Sequence, residues 1–368
     1  MKISLITVHG YRNYGSVLQT YATQEKFKEY GAETEVVNYV REDSNDENFT
    51  KWLIERTLGN SKNLAKKLTY TAVISKSIKK FATICDSFLK EKVKLSGEVC
   101  YHFDDITNNI RESDIYCTGS DQVWNVNANK GILPAYYLEF VPKNKRCISY
   151  ASSFGTTQFT SKQLEEMKPY FKKYKYLSLR EHYGIKLLNE MGYEADFVLD
   201  PTMVVDKNFW SKLFETNPVK GKYILIYQLN TNKRMDEYAK NVQRITGLPI
   251  IRIGTRYDHV LRCGKTLCFP SVGEWLTLFN DAEYVLTDSF HGTAFSINFN
   301  KQFLCFSPKN FSDRLIDILE NFSLTDQMIS DYNDFEKIKN KINFKNVNEK
   351  LDLYRKSTDQ YLRKAFSD

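Results

Sequence analysis

One stretch of the chain combines a residue that can transfer protons with a turn suited to an anion. Residues 282–303, AEYVLTDSFHGTAFSINFNKQF, begin with an apolar run at 284–286 and continue into a helix-like run at 293–299. His291 and Gly292 lie on the turn between them. Such turns lie at the carboxyl edge of an open α/β sheet, where helix N-termini offer N–H groups to anions. A lone histidine is more often a core or capping residue, but its small polar neighbours favour a ligand site here.

A second candidate site is the turn TGSDQVWN at residues 118–125, which follows the predicted strand 114–117. Asp121 and Gln122 supply hydrogen-bonding groups and Trp124 supplies a flat ring, a combination that suits a sugar. Packing in the core is at least as common a role for a tryptophan. The turn therefore predicts a sugar-binding surface, and for Trp124 both sugar stacking and core packing stay open.

Polar residues follow other predicted strands as well. Arg180 and Asp200 come at the ends of two short apolar runs. The runs that end in polar residues are 114–117, 147–151, 176–179 and 197–199. Because the carboxyl ends of parallel strands meet at one edge of a sheet, this repeated pattern indicates a ligand-binding edge. Asp200 precedes a proline and is more simply interpreted as a turn residue.

The elements that would position these residues form two strand–helix–strand units. They comprise a strand at 3–8, a helix at 17–30 and a strand at 33–39, then a strand at 223–229, a helix at 235–245 and a strand at 249–253. This order predicts parallel, right-handed units and hence an α/β protein with two Rossmann-like domains. The first turn carries Gly10 and Gly15, but their spacing does not match a dinucleotide fingerprint, so we do not infer NAD.

The length of 368 residues also favours two domains. We predict a first domain at 1–210 on the acceptor side, with a basic helical insertion near 51–94, and a second domain at 211–340 on the donor side. Residues 341–368 should form a helix that packs back on the first domain.

Composition limits the partners. The formal charge of +7 points to an anionic partner, but without a zinc spacing or a helix-turn-helix pattern we do not expect nucleic acid. The seven cysteines lie mostly in apolar runs and are typical of a reduced, cytoplasmic protein. No apolar run is long enough to span a bilayer, so the protein should be soluble or peripheral. The basic segment 51–94 can lie on an anionic membrane, although such lysines more often form a solvated helix face.

Several separated motifs occur together in the order of a known family. NYGSVLQTYA, CTGSDQVWN, LSLRE, VLDPT and TDSFHGTAFSINFNKQF resemble the polysaccharide pyruvyl transferase family over residues 3 to about 319. The resemblance implies a GT-B-like arrangement of two Rossmann-like domains facing a cleft. It also implies transfer of the enolpyruvyl group of phosphoenolpyruvate to two hydroxyls of a sugar, which forms a pyruvate ketal. The implied acceptors are cell-surface polysaccharide units, often lipid-linked, at the inner face of the cell membrane.

One position departs from the family pattern. Many members carry an arginine two residues before the histidine, where this chain has Ser289. A hydroxyl cannot supply the bidentate, charge-assisted contact that arginine gives a carboxylate or phosphate. We therefore expect another cation to hold the donor, and the candidates are Arg180, Arg252 and Arg314.

The chemistry implied by the resemblance assigns roles to these residues. His291 should transfer protons because imidazole titrates nearest neutral pH, with Asp121 as a second acid or base. The N–H groups of Gly292 and Thr293, with the hydroxyl of Ser289, should hold the phosphate. Predicted acceptor contacts are Asn13, Tyr14, Ser120, Gln122 and Trp124. No metal and no cofactor other than the donor substrate phosphoenolpyruvate is expected.

Two other functions stay open from the sequence. A nucleotide-sugar glycosyltransferase would share the architecture, because a fold does not determine a reaction. A non-catalytic sugar-binding protein would explain the missing arginine. No feature of the sequence indicates an oligomeric state.

Overall fold

The computed structural model describes residues 1–10, 12–59, 63–307 and 313–367. Two parallel sheets form its framework, with strand orders β2-β1-β3-β4-β5 and β10-β9-β8-β11-β12-β13, and a two-stranded pair, β6-β7, lies between them in the sequence. All pairings between these strands are parallel. Connections between parallel strands must cross over the sheet, and helices make most of these crossovers.

The elements of the first sheet and its surroundings occupy the part of the chain before residue 212. They are β1 (Lys2–Ile6), α1 (Tyr14–Lys28), β2 (Glu33–Val36), α2 (Asp46–Leu58), α3 (Leu64–Lys92), α4 (Phe103–Asn109), β3 (Ile115–Thr118), β4 (Arg146–Ser149), α5 (Ser161–Met167), β5 (Tyr174–Tyr176), β6 (Ser178–Leu179), α6 (His182–Glu190), β7 (Asp196–Phe197), α7 (Pro201–Val204) and α8 (Lys207–Ser211).

The second sheet and its helices follow. They are β8 (Ile224–Tyr227), α9 (Lys233–Thr246), β9 (Ile250–Gly254), β10 (Lys265–Cys268), α10 (Val272–Asp281), β11 (Tyr284–Thr287), α11 (Phe290–Asn298), β12 (Gln302–Phe306), α12 (Asp313–Asn321), β13 (Met328–Ile329) and α13 (Phe344–Ser367).

Helix α9 shows how the sequence sets these elements. The side chain of Asn232 accepts hydrogen bonds from the N–H groups of the first turn, and Gly247, with φ of 71°, ends the helix. Its buried face consists of Met235, Tyr238, Ala239 and Val242, which follow the spacing of an amphipathic helix.

The two sheets share one hydrophobic core. Tyr14, at the start of α1, stacks on Trp275 of α10 with ring centroids 5.6 Å apart, and its hydroxyl donates to the carbonyl of Pro270 over 2.6 Å. Buried residues of both sheets belong to the same cluster. The start of α1 is therefore held against the second half of the molecule.

The last helix returns to the first half. The hydroxyl of Tyr361 donates to the carbonyl of Ser149 over 2.5 Å, and the N–H of Leu199 donates to the hydroxyl of Thr358 over 3.1 Å. Within the described ranges, no helix is both long enough and apolar enough to cross a membrane.

Candidate active site

The turn before α11 is held by its own side chains. Ser289 caps the helix, and its hydroxyl accepts from the N–H of Gly292 over 3.2 Å. The hydroxyl of Thr287 accepts from the N–H of Ser289 over 3.1 Å and donates to the carbonyl of Tyr227 over 2.8 Å. A Cβ at Gly292 would overlap the Thr287 hydroxyl, so the close approach requires glycine. This network fixes His291 in the first helical turn.

His291 is buried, and its ring packs on the start of α1. A Cβ at Gly15 would overlap the imidazole ring, which explains a glycine at this point of the helix. Burial lowers the pKa of His291, although Asp200 and Asp121 act in the opposite direction. Its Nε2 has no hydrogen-bond partner among the described residues. An unpaired buried polar atom costs about 1–3 kcal/mol, so a neutral imidazole with a free Nε2 points to a ligand.

Arg180 follows β6 and is surrounded by three carboxylates. Its Nη1 donates to Asp200 over 2.5 Å, its Nε donates to Glu181 over 3.2 Å, and its Nη2 lies 3.4 Å from Asp121. Burial alone would lower the pKa of Arg180, but these carboxylates raise it above the usual range. The guanidinium is therefore a permanent cation whose charge is largely balanced by its neighbours.

Asp121 adopts an unusual backbone conformation, with φ of 68°. Strain of this kind costs about 1–3 kcal/mol and is concentrated at functional sites. It directs the carboxylate towards the hydroxyl of Ser16, which donates over 2.8 Å, and towards Arg180. Burial would raise the pKa of Asp121, but Arg180 and His291 outweigh that effect and lower it, so the group is ionised at neutral pH.

Glu181 and Arg314 complete the group. Burial raises the pKa of Glu181 to about 7, although its Oε1 accepts from Ser153 and Arg180. Its Oε2 and the Nε of the partly exposed Arg314 are buried without partners among the described residues. Arg180 and Arg314 lie near the same ring, with their guanidinium carbons 4.3 and 5.7 Å from the centroid of Phe290. We call Asp121, Arg180, Glu181, Asp200, His291 and Arg314 the central cluster.

The structure thus brings four predicted site residues into one cluster: Asp121, Arg180, His291 and Arg314. Sequence reasoning missed Glu181, although it follows Arg180 at the end of a predicted strand. Asp200 was interpreted as a turn residue. It does cap α7, where its carboxylate accepts from the N–H of Thr202 over 3.0 Å, but it also pairs with Arg180.

The predicted phosphate donors are engaged elsewhere. The N–H of Gly292 is bound by the Ser289 side chain, and the N–H of Thr293 donates to the Ser289 carbonyl over 2.9 Å. The hydroxyl of Thr293 contacts the sulfur of Cys305. By helix geometry, the N–H groups of Phe290 and His291 are the ones without an intrahelical acceptor.

Three predicted acceptor contacts need correction. Trp124 is fully buried, and its indole N–H donates to the carbonyl of Tyr136 over 3.2 Å, so it packs in the core. Tyr14 is buried between the two halves. Ser120 is buried, and its hydroxyl donates to Asp200 over 3.0 Å, so it supports the central cluster. The partly exposed Asn13 and Gln122 stay predicted acceptor contacts.

Arg252 lies in a different group. Its guanidinium donates to Gln228 over 2.7 Å and to the carbonyl of Cys263 over 3.2 Å, and it pairs with Asp236. The neighbouring charged and polar residues are Arg256, Asp258, His259 and Arg262. We call these residues, with Gln228, Asp236 and Arg252, the C-terminal cluster. Because its donors are used within this cluster, Arg252 does not fit the donor-binding role predicted for it.

Comparisons with known proteins identify the family and the fold of the chain. A family model described as polysaccharide pyruvyl transferase matches residues 13–310. A protein from Listeria monocytogenes described as a UDP-N-acetylglucosamine 2-epimerase aligns over 99% of this chain and 90% of its own, with 11% identity and a TM-score of 0.51. The UDP-GlcNAc 2-epimerase from Methanocaldococcus jannaschii aligns over 92% of this chain and 91% of its own, with 13% identity and a TM-score of 0.46. A search of curated protein sequences gives no match. The first structural similarity and the two parallel sheets confirm the predicted GT-B-like fold.

Proposed function

The chain belongs to the polysaccharide pyruvyl transferase family, and from that premise we propose that it transfers the enolpyruvyl group of phosphoenolpyruvate to a sugar. The acceptor would be a unit of a cell-surface polysaccharide or its lipid-linked precursor, and the product a pyruvate ketal. The observation that carries the proposal is a set of three buried atoms in the central cluster that have no partner among the described residues: His291 Nε2, Glu181 Oε2 and Arg314 Nε. A ligand with both anionic and proton-transferring groups would satisfy all three.

Arg314 is the best replacement for the arginine that the family pattern places at Ser289. Arg180 already pairs with the ionised Asp121 and Asp200, and its Nε donates to Glu181. Arg314 lies beside the same Phe290 ring, and its Nε has no partner among the described residues. Phosphoenolpyruvate carries a carboxylate and a phosphate, and guanidinium groups bind both through paired, charge-assisted hydrogen bonds. We therefore propose that Arg314 binds the anionic groups of phosphoenolpyruvate and that Arg180 is the second cation beside them.

The pKa shifts suit His291 to accept a proton and Glu181 to donate one. The pKa of His291 is lowered, so its imidazole is neutral at pH 7 and can accept the proton of a sugar hydroxyl. Glu181, with a pKa of about 7, can hold a proton and donate it to the methylene carbon of the donor. The two sugar oxygens bond to the central carbon of the donor as phosphate leaves. The proton of one sugar hydroxyl restores the proton that Glu181 gave to the methylene carbon. The proton of the other hydroxyl leaves on the phosphate.

The proposed reaction takes place in the cytoplasm, at the inner face of the cell membrane, where a lipid-linked acceptor would be presented. Asn13 and Gln122 would contact that acceptor. The proposal uses phosphoenolpyruvate as donor substrate and calls for no metal or further cofactor.

The test incubates the full-length protein with phosphoenolpyruvate and a panel of synthetic and lipid-linked glycosides. We expect phosphate release in step with a gain of mass on one glycoside, and release slowed by about 10²- to 10⁴-fold with His291→Gln. Consumption of a nucleotide sugar instead of phosphoenolpyruvate would show that the protein is a glycosyltransferase. Glycoside binding without turnover of either donor would show that the protein is a non-catalytic sugar-binding protein.

A further inference from the structure

An apolar tip projects beside the C-terminal cluster. The short 3₁₀ helix Tyr257–Leu261 ends in two exposed apolar side chains, Val260 at 57% and Leu261 at 87% exposure. Leu261 is the most exposed large apolar side chain in the described part of the chain. Single exposed apolar residues are common on protein surfaces, whereas contiguous exposed apolar surface marks contact sites.

The tip adjoins an arginine whose charge is not balanced by a carboxylate. Arg252 pairs with Asp236, and Arg256 pairs with Asp258 over 2.7 Å. Arg262, next to Leu261, instead donates to two neutral oxygens, those of Gln228 over 3.1 Å and Thr231 over 3.0 Å. Among the described residues, no carboxylate forms an ion pair with it. Three guanidinium groups thus share two carboxylates, and the surplus charge lies beside the apolar tip.

The tip also packs against the basic helix α3. The N–H of Tyr257 donates to the hydroxyl of Ser77 over 3.1 Å, and the exposed Lys76 lies 5.9 Å from the Tyr257 ring. About 12–18 Å from Lys76 along the same helix, Leu68 and Leu64 are exposed one turn apart. Helix α3 therefore connects two exposed apolar pairs, each with basic side chains nearby.

We propose that the Val260–Leu261 tip docks on an anionic lipid bilayer, with both apolar side chains inserted and Arg262 and Lys76 on lipid phosphates. The surface is complementary in charge to anionic head groups, and the pair of aliphatic side chains matches the acyl region below them. This inference rests on the proposed membrane contact, but it is independent of pyruvyl transfer, and it places the main contact at the tip rather than along the basic helices.

The test measures co-sedimentation of the full-length protein with vesicles of phosphatidylcholine, with and without phosphatidylglycerol. We expect binding to the vesicles that contain phosphatidylglycerol. The double variant Val260→Ser, Leu261→Ser should bind about tenfold or more weakly, because each inserted side chain loses its apolar burial. The matched control is Leu353→Ser, a residue of α13 at 63% exposure, which should bind like the wild type. Arg262→Gln should remove much of the preference for the anionic lipid.

Two outcomes would overturn the inference. One is equal vesicle binding by the wild type and the double variant. The other is concentration-dependent self-association that the double variant abolishes without vesicle binding, which would assign the tip to a second copy of the chain. Phosphate release with a soluble glycoside should be unchanged in the double variant. Failure of membrane docking can therefore be distinguished from failure of pyruvyl transfer. Thermal unfolding of each variant checks that it is folded.

Discussion

The central and C-terminal clusters are built from the same residue types, but they differ in what they leave unpaired. Each contains a buried histidine whose pKa is lowered by burial, to about 3 in the case of His259. Each also contains a buried arginine, Arg180 or Arg252, that bonds to neighbouring acceptors. Of the two, only the central cluster has three buried atoms without partners among the described residues, and only it draws residues from both halves of the molecule. Burial and charge alone therefore do not mark a site, whereas in the central cluster they occur together with unsatisfied atoms of titratable and cationic side chains.

Replacing each histidine gives the most direct test of the difference between the two clusters. His291→Gln should lower turnover by about 10²- to 10⁴-fold, because the amide cannot accept the hydroxyl proton. His259→Gln, the matched control, should keep wild-type turnover. Steady-state phosphate release measures both, and circular dichroism checks folding. Wild-type turnover by folded His291→Gln would remove the central cluster from the chemistry.

Replacing each arginine separates a structural role from a binding role. Arg180→Gln leaves two ionised aspartates buried without their cation and should lower the free energy of unfolding by about 3–5 kcal/mol. Arg252→Gln leaves one partly exposed carboxylate, Asp236, and should cost less. Chemical denaturation measures both changes. In the folded fraction, only Arg180→Gln should raise the KM for phosphoenolpyruvate, and an equal increase with Arg252→Gln would contradict the separation of the clusters.

Glu181 predicts a pH dependence. Its pKa is raised by burial to about 7, so the folded state holds a proton that the unfolded state loses near pH 4.5. The contribution of Glu181 to stability is therefore fully present below about pH 4.5 and is lost as the pH rises to about 7. The loss is roughly 3 kcal/mol at most. Urea denaturation at a series of pH values measures it, and Glu181→Gln should abolish this part of the dependence. An unchanged profile in the variant would show that Glu181 is ionised throughout.

The sequence allowed a large part of this arrangement to be predicted. Parallel strands place their carboxyl ends together, which is why Asp121 and Arg180 were expected at one edge of the first domain. The cleft implied by the family resemblance places His291 of the second domain opposite them. The capping role of Ser289 was also accessible, because a serine three residues before Gly292 is a standard helix start. That local rule, once applied, explains why the predicted N–H donors are engaged.

Other features depend on packing that no local pattern reports. Trp124 stands in a polar turn, yet Phe171, Tyr137 and Phe154 enclose its ring, and these contacts come from distant parts of the chain. The raised pKa of Glu181 likewise arises from burial between both halves rather than from its neighbours in sequence. Arg252 follows the pattern of a ligand-edge arginine, but its partners Gln228 and Asp236 satisfy it within its own half.

Replacing Arg314 tests whether it is the cation that takes the place of the family arginine expected at Ser289, and we expect the effect to be the smallest of those described. Arg314→Gln should raise the KM for phosphoenolpyruvate about 10- to 100-fold, the loss of one charge-assisted contact. Its effect on the free energy of unfolding should be small, because Arg314 forms no ion pair with the described residues. The acceptor KM should not change, since the lost contact lies on the donor. Arg262→Gln, which removes the surplus charge of the C-terminal cluster, should leave both KM values unchanged. If Arg262→Gln weakened donor binding and Arg314→Gln did not, the cation that replaces the family arginine would lie in the C-terminal cluster, and the contrast between the two clusters would be reversed.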